Sequence, residues 1–243
     1  MFSFKEFIAE QKTTLEYHSQ LNPKLWDKDQ LKPEVRKHLL EIASAWRKFA
    51  NIPANAVKDI LFTGGNANYN YTSFSDIDVH LLVNKKQVAD CEKQILDDYL
   101  KDKKTLWAVN HDIKIYGYNV ELYAQDIDEP TSSNQGVFSL QQNKWIRKPE
   151  KVSLDLNDKY LLKKIKNLKE MIDYLISTKC DDMEELENLK KKLRDMRAAG
   201  IQKSGEFSVE NLAFKELRNR GYLDKLTNYI KFIEDKKFGL YNK

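Results

Sequence analysis

A double glycine and a pair of carboxylates are the residues of this chain whose types and spacing favour chemistry. Ten residues separate Gly64-Gly65 from Asp76, and Asp78 follows Asp76 by two. Glycines permit a positive φ and close approach of a ligand, so a glycine turn can present backbone N–H groups to an anion. Carboxylates two residues apart on a strand share one face and repel each other unless a cation lies between them. Their oxygens suit Mg²⁺, which shares its coordination shell with phosphates, so the pattern predicts chemistry at a phosphoryl group.

The surrounding segments have the patterns needed to position these residues. Residues 57–62 and 77–83 are short apolar runs typical of buried strands, joined by a polar, aromatic loop, 66–75. In the second strand, Ile77 and Val79 would point into the core and the two aspartates away from it. The same patterns predict helices over 4–19, 33–49 and 85–103, the last with Val88, Cys91, Ile95 and Tyr99 facing inward, and strands over 105–109, 113–116, 120–124 and 137–140.

The chain beyond residue 157 is predicted to be almost entirely helical. Apolar residues recur at helical spacing from Leu161 to Leu175 and again from Leu186 to Met196. Gly200 is predicted to end the second of these helices and Ser208 to cap the next. We therefore expect an α+β protein, with a small mixed β-sheet flanked by N-terminal helices over residues 1–150 and a helical domain over 151–243.

The sequence around the glycines and aspartates resembles a known signature. Leu61-Phe62-Thr63-Gly64-Gly65 followed by Asp76-Ile77-Asp78-Val79 is similar to the pattern of the nucleotidyltransferase superfamily related to DNA polymerase beta. That pattern is an apolar strand, Gly followed by Gly or Ser, a short interval, and then acid–apolar–acid–apolar. Ser75, just before the first aspartate, also suits it. The resemblance covers roughly residues 57–124 and implies a nucleotidyltransferase core for the sheet.

The resemblance implies a third carboxylate on a later strand, between apolar residues. Glu121, in Val120-Glu121-Leu122, fits best, and Asp112, preceded by His111, is the alternative. By this resemblance Asp76 and Asp78 hold a Mg²⁺ or Mn²⁺ ion that binds the triphosphate. Asp76 and Glu121, with Asp78 bridging, hold a second ion that lowers the pKa of the acceptor hydroxyl.

The phosphate contacts depart from the commoner Gly-Ser form of the signature. Gly64 and Gly65 are expected to offer backbone donors, but Gly65 has no hydroxyl. Asn66, Thr72 and Ser73 are the alternatives for the missing side-chain contact. We count Asn66 and Ser75, with the two glycines, as the predicted nucleotide-binding residues.

The implied activity is metal-dependent transfer of a nucleoside monophosphate from a nucleoside triphosphate such as ATP to an acceptor hydroxyl, with release of pyrophosphate. The acceptor stays open between an RNA 3′ end, a second nucleotide, a small molecule and a protein side chain. The alternative is a catalytically silent module that binds a nucleotide or RNA on the same fold. A non-catalytic descendant has no reason to keep three clustered acids, which favours the enzyme.

Other residues allow more than one interpretation. Tyr69, Tyr71 and Phe74 in the loop could stack on a base or fix the loop to the body, and His80 is expected to be structural. Residues 151–243 hold 21 Lys/Arg against 16 Asp/Glu. Their basic side chains are either a solvated surface or contacts for triphosphate or nucleic acid. The candidates are Lys159, Lys163, Lys166, Lys190, Arg194, Arg197 and Lys215.

Composition excludes several classes of protein. With 243 residues, 41% of them hydrophobic, and a net charge of +4, the chain can bury a sizeable core. Two cysteines, Cys91 and Cys180, exclude a disulfide framework and a cysteine-rich zinc site. There is no apolar run of the ~18 residues that a membrane helix needs, and the N-terminus lacks the pattern of a signal peptide. We expect a cytoplasmic protein without a membrane partner.

Overall fold

The computed structural model describes residues 13–129 and 135–239. The chain divides into two compact units. The sheet unit is Tyr17–Val152, and the helical unit combines Met1–Glu16 with Ser153–Lys243. The sequence prediction divides the chain at residue 150, two residues earlier, and assigns all N-terminal residues to the sheet domain.

The sheet unit is built on a six-stranded mixed sheet. Its strands are β3 (Val57–Thr63), β4 (Ile77–Val83), β5 (Lys114–Ile115), β6 (Tyr118–Asp126), β7 (Val137–Ser139) and β8 (Lys144–Arg147), in the order β5-β6-β4-β3-β7-β8. The pair β4–β6 is parallel and all other pairs are antiparallel. A separate hairpin pairs β1 (Trp26–Asp27) with β2 (Gln30–Leu31). With the helical unit that follows, this architecture confirms the predicted α+β fold class.

Helix α1 (Pro33–Phe49) has the predicted bounds, with Pro33 in its first turn. Its apolar stripe, Val35, Leu39, Ala43 and Trp46, is buried in the core of the sheet unit. Strand β4 also has the predicted bounds and alternates as expected. Ile77, Val79, Leu81 and Val83 are buried in the core, so Asp78 lies on the opposite face.

The prediction for residues 85–109 is correct only in part: a helix is present and Val88 packs against the core, but the helix has other bounds and a different buried face. A 3-10 turn, Lys85–Gln87, precedes helix α2 (Lys93–Asn110), which buries Leu96 and Leu100. Ile95 and Tyr99, predicted to face inward, are exposed, as is Cys91. Residues 105–109, predicted as a strand, are the last turns of this helix, because Trp107 continues the buried stripe against the core.

The helical unit contains α3 (Lys159–Ser177), α4 (Met183–Ser204), α5 (Val209–Asn219) and α6 (Tyr222–Phe238). The predicted leucine and isoleucine stripes of α3 and α4 are buried, and Ser208 caps α5 by accepting a hydrogen bond from the Asn211 N–H. Gly200 does not end α4, which continues to Ser204 and ends at Gly205. A Cβ at Gly200 would lie 2.5 Å from the Cβ of Glu210, so this glycine lets α4 and α5 approach closely.

Two further differences from the prediction lie near the ends of the sheet unit. Residues 13–19 are not helical, and the rest of the helix predicted over 4–19 lies outside the described residues. Strand β8 was not predicted, because Lys144 and Arg147 break its apolar pattern. No helix in the described ranges is both long and apolar enough to cross a membrane.

Candidate functional site

The glycine turn is placed directly against one of the predicted aspartates. Strand β3 leads to Gly64, which has φ +78° and ψ −166°, and a short 3-10 turn, Gly65–Ala67, follows. A Cβ built on Gly64 would lie 1.7 Å from Oδ2 of Asp78. Only glycine fits both this backbone conformation and this contact. The carboxylate of Asp78 therefore lies against the backbone of the turn.

The three predicted acids lie at the same end of the strand pair β4–β6. Asp78 is opposite Glu121 in the parallel register of these strands, and Asp76 comes immediately before β4. Side chains opposite each other on neighbouring strands share a face. The alternative third acid, Asp112, lies between α2 and β5, where its side chain is 79% exposed and paired with Lys114 at 2.8 Å. The fold thus brings Glu121, and not Asp112, alongside Asp78.

Glu121 has a cationic partner within the sheet unit. Its Oε2 accepts a hydrogen bond from the Nζ of Lys104, on α2, at 3.0 Å. About half of the Glu121 side chain is exposed, so the pair is accessible to water and ions. Sequence reasoning did not identify Lys104, because its proximity to Glu121 depends on how α2 packs on β6.

The carboxylates of the three predicted acids suit a hard cation, although they do not surround a single point. Carboxylate oxygens are the ligands that Mg²⁺ and Mn²⁺ prefer, and Asp76, Asp78 and Glu121 supply them from adjacent backbone positions. Within residues 13–129 and 135–239, however, no group of three or more His, Cys, Asp or Glu side chains is close enough to hold a metal ion. The chemistry of the residues fits a divalent cation, and the ion pair of Glu121 with Lys104 competes with it.

Asn66 anchors the glycine turn through buried hydrogen bonds. Its side chain is completely buried; Oδ1 accepts a hydrogen bond from Nδ2 of Asn22 at 2.8 Å, and Nδ2 donates to the carbonyl of Asp76 at 3.0 Å. The carbonyl of Asn66 accepts from Nε1 of Trp26 at 2.7 Å. Asn66, predicted to bind the nucleotide, therefore links the glycine turn to Asp76, the residue before β4.

A second asparagine, which sequence reasoning missed, fixes the other side of the turn. Nδ2 of Asn68 donates to the carbonyl of Gly64 at 2.7 Å, and its Oδ1 accepts from the N–H of Gly136 at 2.9 Å. Asn68 is buried. The signal that could have found it is the run of asparagines directly after the glycines, since asparagine side chains commonly hydrogen-bond to nearby backbone groups in turns.

Ser75, also predicted to bind the nucleotide, lies next to the turn. Its Oγ is 3.0 Å from the position of a Cβ on Gly65. The same oxygen accepts a hydrogen bond from the N–H of Thr72 at 2.9 Å. The hydroxyl hydrogen of Ser75 can therefore be directed to an acceptor near Gly65.

His80 and Tyr123 continue the face that carries Asp78 and Glu121. They are opposite each other in the register of β4 and β6, and Nδ1 of His80 pairs with Oε1 of Gln125 at 2.9 Å. Burial lowers the pKa of His80, and the charge of Lys104 lowers it further. Burial, followed by the charge of Glu129, raises the pKa of Tyr123 to about 12. Both side chains are therefore neutral at pH 7.

Two of the basic side chains predicted as ligand contacts are engaged inside the helical unit. Lys215 forms an ion pair with the buried Glu206. Nε of Arg197 donates to Oδ1 of Asn211 at 3.1 Å, and its guanidinium lies 4.8 Å from the ring centroid of Phe214. These contacts stabilise the packing of α4 and α5, which accounts for both residues without a ligand.

No family model and no curated protein sequence matches the chain. Among solved structures, it is similar to the STING-associated CdnE c-di-GMP synthase from Capnocytophaga granulosa, with 14% sequence identity and a TM-score of 0.22 over 85% of this chain and 83% of that protein. A TM-score this low carries nothing from that protein to this chain.

Proposed function

We propose that the chain is a nucleotidyltransferase that moves a nucleoside monophosphate from a nucleoside triphosphate to an acceptor hydroxyl. The observation that carries this proposal is the contact of Asp78 with Gly64, together with the register that sets Glu121 beside Asp78. A turn without side chains can bind phosphates through its backbone. The acids beside it can hold the divalent cation that a triphosphate brings.

Each residue then has a specific task. Gly64 and Gly65 bind phosphate oxygens through the backbone, and Ser75 donates its hydroxyl alongside. Asp76, Asp78 and Glu121 are the residues that would hold Mg²⁺ or Mn²⁺. The bound cation supplies charge neutralisation and a lower pKa for the acceptor hydroxyl. The acceptor hydroxyl releases its proton to solvent, and its oxygen bonds to the α-phosphorus. The bond from that phosphorus to the oxygen bridging to the β-phosphorus breaks, and pyrophosphate leaves.

Asn66 and Asn68 act as positioning residues in this proposal. They fix the backbone of the turn relative to Asp76 and Gly136 through buried hydrogen bonds. Preorganised donors need no rearrangement when charge develops on the phosphates. Both asparagines therefore contribute without touching the substrate.

The test is transfer of label by the full-length protein. Each of the four α-labelled nucleoside triphosphates is incubated with Mg²⁺, with and without total RNA, and pyrophosphate release is measured in parallel. We expect one or more triphosphates to give pyrophosphate and a labelled product. The distribution of label between RNA, protein and small molecules identifies the acceptor class.

Matched variants connect that activity to the site. Asp76→Asn and Asp78→Asn should each lower transfer by at least about a hundredfold, since a bound cation supplies several kcal/mol of charge stabilisation. Asp112→Asn, which removes an exposed carboxylate away from the strand pair, should keep the wild-type rate. Retention of most activity in either strand variant would contradict the proposal.

The silent binding module is the second candidate, and the ion pair Lys104–Glu121 favours it, because a lysine already neutralises the third acid. In that case a nucleoside triphosphate raises the melting temperature but no pyrophosphate is released. Lys104→Met separates the two functions. It should strengthen binding of Mn²⁺, measured by calorimetry, if Glu121 is a metal ligand, and leave it unchanged if it is not.

A further inference from the structure

The three aromatic residues of the loop before Asp76 have different environments. Tyr71 is buried and stacks on His18, with 3.9 Å between ring centroids. The ring centroids of Tyr69 and Tyr17 are 6.2 Å apart, and the Nζ of Lys151 lies over the ring of Tyr69. Both therefore fix the loop to the sheet unit. Phe74, by contrast, is 49% exposed.

The backbone that carries Phe74 is held in place. The N–H of Phe74 donates to Oγ1 of Thr72 at 3.1 Å, and the N–H of Thr72 donates to Oγ of Ser75 at 2.9 Å. The N–H of Ser75 also donates to the carbonyl of Thr72 at 3.1 Å, and Thr72 is buried. The exposed ring is thus presented by an ordered turn, which lowers the entropic cost of using it to bind a ligand.

The position of this turn connects the ring with the phosphate-binding residues. Ser75, the neighbour of Phe74, places its Oγ 3.0 Å from the Cβ position of Gly65. Asp76 is the next residue. An aromatic ring that is both exposed and anchored at this point can cover the face of a planar group attached to the bound phosphates.

We infer that the ring of Phe74 stacks on the base of the nucleoside triphosphate whose phosphates bind at Gly64-Gly65. This inference rests on the proposed function. Every base has a π-face, so the contact favours nucleotides over bare polyphosphate and does not by itself select one base. The remainder of the ligand is held by charge and by the backbone of the turn, which do not depend on the base.

Binding of two kinds of probe separates these contributions. Affinities of the full-length protein for ATP, GTP, CTP and UTP, and for inorganic tripolyphosphate, are measured by calorimetry with Mg²⁺. Phe74→Ala should weaken the best-bound nucleotide roughly 5- to 150-fold, as expected for loss of one base–aromatic stack. Its affinity for tripolyphosphate should stay within about twofold of wild type. Phe74→Tyr should restore nucleotide affinity.

The control substitution is Leu106→Ala, which removes a similarly exposed apolar side chain from α2 in the same unit and should leave nucleotide affinity unchanged. Wild-type nucleotide affinity in Phe74→Ala would overturn the inference while leaving the proposed function standing. An equal loss of nucleotide and tripolyphosphate would overturn it too, because the base would then not be the group contacted. Absence of nucleotide binding by the wild-type protein would overturn both proposals.

Discussion

The carboxylates of the candidate site and the buried carboxylates of the helical unit lie in opposite environments. In the helical unit, the buried carboxylate of Glu216 accepts hydrogen bonds from the N–H and Oγ1 of Thr14 and from Nε of Arg220. The buried Glu206 pairs with Lys215 in the same unit. At the candidate site in the sheet unit, Asp76 and Asp78 are half-buried and Glu121, opposite Asp78, is exposed. Asp78 lies directly against Gly64. Enclosed charges stabilise packing, whereas charges open to solvent at a glycine turn can bind a ligand.

Two basic residues of the helical unit, Lys215 and Arg197, illustrate this difference. Lys215 and Arg197 looked like contacts for an anion because sequence shows their charge and not their partners. Asn211 becomes a neighbour of Arg197 only when α5 folds back on α4. Glu206 lies between α4 and α5, and it pairs with Lys215 because this segment folds back along α5. A basic side chain on a helix therefore indicates a ligand site only when no acidic, amide or aromatic side chain of the same unit contacts it.

The largest effect should come from a side chain placed in the turn. Gly64→Ala forces a Cβ to within 1.7 Å of the Asp78 carboxylate at a backbone conformation that costs about 1–3 kcal/mol for other residues. We expect nucleotide transfer to fall at least about a hundredfold, as for loss of a metal ligand. Pyrophosphate release and urea unfolding measure the two effects.

Gly221→Ala in the helical unit is the matched control. Gly221 also has a positive φ, +73°, but a Cβ there meets no described atom within 4 Å. The variant carries the backbone cost of about 1–2 kcal/mol without a collision. It should be less stable than wild type and transfer at the wild-type rate when folded. Equal losses of activity in the two variants would show that the turn matters only for stability.

The second prediction concerns the enclosed charges. Glu216→Ala leaves Arg220 and the N–H of Thr14 without their carboxylate, so we expect the helical unit to lose about 3–5 kcal/mol of stability. Asp195→Ala removes a carboxylate that pairs with Lys191 on the exposed surface of the same unit, at 2.5 Å, and should cost less than about 1 kcal/mol. Denaturant unfolding followed by circular dichroism compares them. Similar costs would mean that Glu216 is not enclosed.

The parts of the fold that sequence predicted are those set by local periodicity. Strand β4 and helix α1 have the predicted bounds because the alternation of Ile77 to Val83 and the stripe from Val35 to Trp46 each match one period. The prediction of helix α2 failed at both ends, since the helix begins at Lys93 and continues to Asn110. Thr105 to Val109 is short, apolar and partly β-branched, which suits a strand as well as a buried helical turn.

Contacts between distant residues limited prediction of the site. The spacing of Gly64 and Asp78 indicated a common site, but the contact between them depends on the pairing of β3 with β4. Asn66 was chosen as a ligand contact for its position, whereas its amide lies in the core against Asn22. Lys104 could not be found, because nothing local relates a helix residue to Glu121.

The third prediction separates the units by acid sensitivity. Burial lowers the pKa of His80 in the sheet unit, so the unfolded chain binds a proton at a higher pH than the fold does. Stability of the sheet unit should therefore decrease as the pH falls below about 6.5, the ordinary value for histidine. In the helical unit, the hydrogen bond from Lys164 lowers the pKa of Glu210, so its contribution is lost only below the ordinary carboxyl range.

Two variants test this order of acid sensitivity. His80→Gln should remove part of the stability loss that begins near the histidine range, and Glu210→Gln should change only the loss at lower pH. Urea unfolding at a series of pH values measures both. Tryptophan fluorescence follows the sheet unit, which contains all four tryptophans, and circular dichroism follows the helices of both units. Acid sensitivity of the sheet unit that is identical in wild type and His80→Gln would refute the assignment to His80.

The prediction with the smallest expected effect compares the reactivity of the two cysteines, one in each unit. Cys91 is exposed. Cys180 is partly covered, its Sγ donates to Oε2 of Glu185 at 3.4 Å, and burial raises its pKa. Because the thiolate is the reactive form, iodoacetamide should modify Cys91 before Cys180 at pH 7.5, as followed by mass spectrometry of wild type, Cys91→Ser and Cys180→Ser. Glu216→Ala should accelerate only Cys180, since it loosens the helical unit. Acceleration of Cys91 in that variant would show that the two units do not respond separately and would break the comparison between them.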